Sequence, residues 1–156
     1  MNRPSHRQER MITFRPAMVG MAMTVITLMM SACGGRRYDP AMATRPYPAE
    51  LGQSETIQAQ VFRKGPNLTI VNASPQGFKD ADLWLNRRYM YHLDSLKPGQ
   101  TITLSLRDFF DAWGETPIPG GFFRTEDPTP SVLVQIQADQ ESPLIGLITI
   151  LPQNDF

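Results

Sequence analysis

From Ile57 onward the chain alternates between apolar and polar positions. Ile57, Ala59 and Val61 stand against Gln58 and Gln60, a period of two that predicts a half-buried strand over Ile57–Phe62. Lys64-Gly65-Pro66 breaks it, and Asn67–Asn72 resumes with Leu68 and Ile70 on one face. Ala81–Asn86 and Tyr89–Leu93 read as a hairpin turning at Arg87-Arg88. An even-length loop puts Trp84, Tyr89 and Tyr91 on one face and Leu83, Leu85 and Met90 on the other. Asp82 and Asn86 travel with Trp84, so the expectation is an inward aliphatic face and a half-exposed aromatic trio; an inward Trp84 is the alternative.

Pro98-Gly99 sits at the centre of a type II turn, and Thr101–Leu106 follows with Ile102, Leu104 and Leu106 on one face. Ser105 and Asp108 match a capping box, which predicts a helical turn carrying Phe109, Phe110 and Trp113 and stopping at Gly114. Asp108 and Asp111 then read as a cap and a solvated surface acid. Val132–Ala138 and Leu144–Leu151 are the last strands, the second apolar on both faces and so central. Between them and the helical turn, Glu115–Pro130 is a proline-rich loop holding Phe122 and Phe123, which either bind a partner or plug one end of the sheets.

The amino-terminal part has a different pattern. A basic stretch ends at Arg15 and an apolar run of 16 residues, Ala17–Ala32, follows. That run is short of the roughly 20 residues a spanning helix needs, and the layout is that of a secretory signal helix, with Met11 a more typical start than Met1. Gly34–Gly52, with Pro40, Pro46 and Pro48, predicts a disordered, partly polyproline tether in which Tyr38 and Tyr47 are stray aromatics. The expected division is signal peptide 1–32, flexible tether 33–54 and folded domain 55–156.

Met30-Ser31-Ala32-Cys33 resembles the lipobox of bacterial lipoproteins, departing from it in having Met30 where leucine is favoured. The resemblance implies that the Cys33 thiol takes a diacylglyceryl group, that the peptide is cut before it, and that the membrane is a partner through this lipid. Gly34, in place of a retaining aspartate, implies the outer membrane, facing the periplasm. Two or more acyl chains make such attachment stable where one is marginal.

Composition narrows the function further. The four arginines before Cys33 against a single glutamate leave 11 basic and 14 acidic residues after it. A mildly acidic domain lacks the clustered positive charge that nucleic acid requires, and Arg36-Arg37 and Arg87-Arg88 are too short to count as patches. One cysteine excludes an internal disulfide and a thiolate-rich zinc site. His92 is the only histidine after Cys33 and reads as a surface or hydrogen-bonded residue; no metal or cofactor motif is present.

Seven predicted strands in roughly 100 residues fit an immunoglobulin-like β-sandwich. Val71–Ser74 before the strand pair and Leu96–Gly99 after it resemble the small bacterial Ig-like domains of the FxLYD type. That resemblance implies no shared catalytic residues. The expected function is therefore a non-enzymatic lipoprotein that binds a protein or glycan of the cell envelope, or helps an envelope complex assemble. Its contact surface would be Trp84, Tyr89 and Tyr91, joined by Phe122 and Phe123. An envelope hydrolase using surface carboxylates and a purely structural spacer are the alternatives.

Overall fold

The computed structural model describes residues 37–120 and 127–150, all within the unit Gly34–Phe156. The described residues are all-β: β1 (Gln53–Lys64), β2 (Asn67–Asn72), β3 (Phe78–Leu85), β4 (Tyr89–Leu96), β5 (Thr101–Ser105), β6 (Val134–Gln137) and β7 (Leu144–Ile150). Only single 3-10 turns interrupt them among the described residues, at Pro40–Met42, Ala49–Leu51 and Leu106–Asp108.

The seven strands form one mixed sheet in the order β4-β3-β6-β7-β1-β2-β5, with β1 and β7 parallel and every other pair antiparallel. Laid flat at about 4.8 Å per strand, its two edges would lie about 29 Å apart. Yet edge strands β4 and β5 are joined by residues 97–100 alone, a span of at most about 17 Å. The sheet therefore rolls up into a barrel-like form. Asn72 clamps this short connection, accepting from the Gly99 N–H at 2.7 Å and donating its own N–H to the Gln100 carbonyl at 2.9 Å. Within it, Gln100 N–H reaches the Lys97 carbonyl and Gly99 has φ +72°, the left-handed value that the type II turn demands.

Inside the roll, Ile57, Ala59 and Val61 of β1 meet Leu68 and Ile70 of β2, Leu83 and Leu85 of β3, and Ile136 of β6. The alternation read from β1 and β2 is the one observed. Leu144–Leu147 of β7 is buried on both faces between β6 and β1, as a central strand should be.

The hairpin differs from expectation. Asn86 and Arg87 both adopt positive φ, 54° and 58°, and a third residue, Arg88, completes the turn. Leu85 pairs with Tyr89 and Leu83 with Tyr91, so the parity reverses. Tyr89, 3% exposed, and half-buried Tyr91 face the aliphatic core, while Trp84 lies on the opposite face with Met90 and is itself fully buried. The predicted exposed trio is thus corrected: Trp84 and Tyr89 are inaccessible, for two different structural reasons.

Trp84 is buried because residues 37–52, expected as a free spacer, run across the outer face of the sheet. Thr44 N–H donates to the Asp111 carbonyl, Asp39 N–H to the Gly114 carbonyl and Thr116 N–H to the Arg37 carbonyl. The Tyr47 ring stands edge-on to Trp84 at 5.4 Å, and its hydroxyl donates to Gln135 Oε1 at 3.0 Å. Arg45 reaches Asp82 at 2.7 Å and Gln137 at 2.6 Å, its guanidinium 4.8 Å from the Trp84 ring centre. Gln135 and Gln137, which alternate with Val134 and Ile136, face this strap rather than water and are buried with it. The described fold therefore begins by Arg37.

Candidate functional site

A corner of the domain forms where residues 37–47 meet the β3–β4 turn and residues 109–116. Ser105 accepts from the Arg107 N–H and opens a turn, but that turn ends at Asp108, and Phe109 returns to extended backbone. Phe109 and Phe110 are buried, whereas Trp113 swings out to 67% exposure. The predicted helix through Trp113 is thereby corrected to one 3-10 turn and a loop.

Asp111 builds that loop. Its Oδ1 accepts from the N–H groups of Trp113 at 3.0 Å and Glu115 at 2.9 Å, while its Oδ2 takes the Arg88 guanidinium. Burial pushes the Asp111 carboxyl up, but the Glu115 N–H, the Arg88 guanidinium and the Trp113 N–H outweigh it and hold the group below the usual aspartate range. Read from sequence as a solvated acid, Asp111 is fully buried and structural. Gly114, at φ +82°, is required here as well, since a Cβ would lie 2.1 Å from the Asp39 carbonyl oxygen.

The result is a groove of about 520 Å³ lined by Pro46, Tyr47, Arg87, Arg88, Ala112 and Trp113. Arg88 is committed inside it, pairing with Asp111 and Glu115 at 2.7 Å each and lying against the Tyr89 and Trp113 rings. Arg87 is exposed and has no ion-pair partner among the described residues. Tyr38, paired with Glu115 in an isolated bridge, and Met42 flank the corner at 65% and 47% exposure. Exposed aromatics beside an uncommitted guanidinium suit recognition of an anionic, partly apolar surface by stacking and charge. The sequence carried one clue to this corner, a large aromatic directly before a glycine in Asp111-Ala112-Trp113-Gly114.

A second, acidic groove of about 350 Å³ gathers Asp80, Asp82, His92, Asp139 and Glu141. Asp80, Asp82, His92 and Asp139 each have a partner, inside the groove or beside it. Asp82 holds Arg45 and lies 3.0 Å from His92 Nδ1. That hydrogen bond raises the His92 imidazole above its ordinary range. Asp139 accepts from the Ser142 hydroxyl and from the N–H groups of Glu141 and Ser142, and these bonds, led by the hydroxyl, hold its carboxyl below the usual aspartate range. Among the described residues no group of His, Cys, Asp and Glu is arranged to hold a metal ion.

Cys33, Phe122 and Phe123 lie outside the described residues. The feet of the Glu115–Pro130 loop are described, and they are pinned: Ile118 and Thr129 exchange backbone and side-chain bonds, and Arg63 donates to the carbonyls of Pro119 and Thr129. Comparison of the chain with protein-family models, with curated proteins and with solved structures finds no match.

Proposed function

We propose that this chain is a non-catalytic lipoprotein of the bacterial cell envelope, held through an acylated Cys33 and presenting the Trp113 corner as its contact surface. The observation that carries this reading is the position of the lone cysteine, which falls directly after Met30-Ser31-Ala32, at the one place a lipobox requires it. Arg37, four positions after Cys33 in the chain, is already hydrogen-bonded into the domain. Gly34 supports an outer-membrane address facing the periplasm.

The domain reads as an immunoglobulin-like sandwich in which β1 serves two sheets. It pairs with β2, and through it β5, on one side, and runs parallel to β7 on the other, where β6, β3 and β4 follow. Register shifts between Ile57 and Gln60 in the β1–β7 ladder support such a crossing of sheets. No residue in this reading performs chemistry; the role is attachment and contact.

Cell fractionation tests the anchor. The native chain should sediment with membranes, resist high salt and be released by detergent, while Cys33→Ala should appear in the soluble envelope fraction. Recovering the native chain itself in the soluble fraction would refute the reading.

A further inference from the structure

Three of the most exposed large apolar side chains, Tyr38 at 65%, Met42 at 47% and Trp113 at 67%, belong to the same corner. It is also the corner from which the chain leads back to Cys33. Arg37 is fixed there twice, its N–H donating to Thr116 Oγ1 at 3.0 Å and its carbonyl accepting from the Thr116 N–H at 2.9 Å. Four Cα-to-Cα steps lead from it back to Cys33, a reach of at most about 14 Å. A cysteine whose acyl chains lie in a leaflet sits at headgroup depth, and the headgroup layer is itself about 5–7 Å thick. The Tyr38–Met42 and Asp111–Glu115 edge cannot then lie far from the bilayer surface.

We propose that this corner rests against the anionic headgroups of the same bilayer that holds Cys33, with Trp113 and Tyr38 seated at the interface and Arg87 directed at lipid phosphates. The proposal builds on the anchored reading above and names the partner of its contact surface. Trp and Tyr suit headgroup depth because one end of each ring system is apolar and the other polar. The charge is suited too. The chain after Cys33 is acidic as a whole, but here Asp39 is taken by Arg37 at 3.4 Å and Glu115 by Arg88, and Arg87 has no ion-pair partner among the described residues. Trp113 and Arg87, which line one groove, would give a lipid-held protein a second, weaker hold that fixes its orientation.

The processed protein, extracted from membranes and reconstituted into phosphatidylethanolamine–phosphatidylglycerol vesicles, supplies the test. Trp84 is sealed beneath Tyr47, so only Trp113 reports on the surface, and Trp113→Phe identifies its emission. Brominated lipid should quench Trp113, and aqueous iodide should lose most of its effect on it. Arg87→Asn, a change tolerant of the positive φ, should lower the docked-to-free ratio about fivefold, the worth of one positive charge at an anionic surface. Mass spectrometry of the same preparation reads the state of Cys33. An acylated Cys33 with Trp113 still open to iodide would sink the docked face alone, as a protein or glycan partner for the corner would require. A bare Cys33 would sink the anchor and with it the reason for this orientation.

Discussion

Replacing Arg45 by alanine removes the one side chain that ties the amino-terminal strap to Asp82, Gln137 and Trp84 together. The Arg45 and Asp82 side chains are 23% and 17% exposed, so the pair is largely desolvated. Stripping one partner from a fully buried pair costs about 3–5 kcal/mol. Two features reduce the figure here: Asp82 keeps His92 at 3.0 Å and some solvent, and Arg45 Nε is itself buried without a partner. A loss of about 2–3 kcal/mol is expected, against a total of roughly 5–15 for a domain of this kind. The melting temperature should then fall by roughly 8–12 °C. Urea unfolding followed by tryptophan emission reads both the stability and the environment of Trp84. Arg45→Met, which keeps the stem over the indole, should cost less than alanine. A change below about 0.5 kcal/mol in Arg45→Ala, with Trp84 emission unmoved, would refute the claim that the strap belongs to the fold.

Other consequences follow from the same geometry. Asp111→Ala leaves the Trp113 and Glu115 N–H groups and part of Arg88 unpaired and should destabilise by about 2–4 kcal/mol in thermal unfolding. Because the folded-state Asp111 pKa is depressed, its contribution is present above the ordinary aspartate value of 3.8 and disappears as pH falls through the folded value, so acid unfolding should be shallower in Asp111→Ala. His92 runs the other way: its raised folded pKa gives stability that is complete below the ordinary 6.5 and is lost as pH rises through the folded value, a small effect that His92→Gln should abolish. Gly114→Ala forces a methyl group against the Asp39 carbonyl at a positive φ and should cost about 2 kcal/mol or more, seen as faster amide exchange at Asp39 and Thr116.

What the sequence displayed and what it hid divide along a physical line. Patterns carried by neighbours were legible: the period of two in Ile57–Val61, the Pro98-Gly99 turn, and the doubly apolar stretch that places β7 at the sheet centre. Parity across Arg87-Arg88 was not, because it depends on whether the loop has two or three residues, and only the positive φ of Asn86 and Arg87 with Arg88 added decides it. Gln135 and Gln137 alternate with apolar residues as a solvent-facing strand would. Their partners Tyr47 and Arg45 lie 88 and 92 residues away in the chain, beyond the reach of any local pattern. Asp111 misled for the same reason, since its burial comes from Arg88 and from the strap passing over the loop. Trp84 and Tyr89 are therefore covered, and the aromatic left open is Trp113, on which the proposed contact rests.

The state of the Cys33 sulfur decides the most. Mass spectrometry of the amino-terminal peptide from membrane-extracted protein should find the chain starting at Cys33 with a diacylglyceryl thioether on it. A peptide running through Ala32-Cys33 uncut, or a mature terminus with a free thiol, would contradict the tethered envelope module.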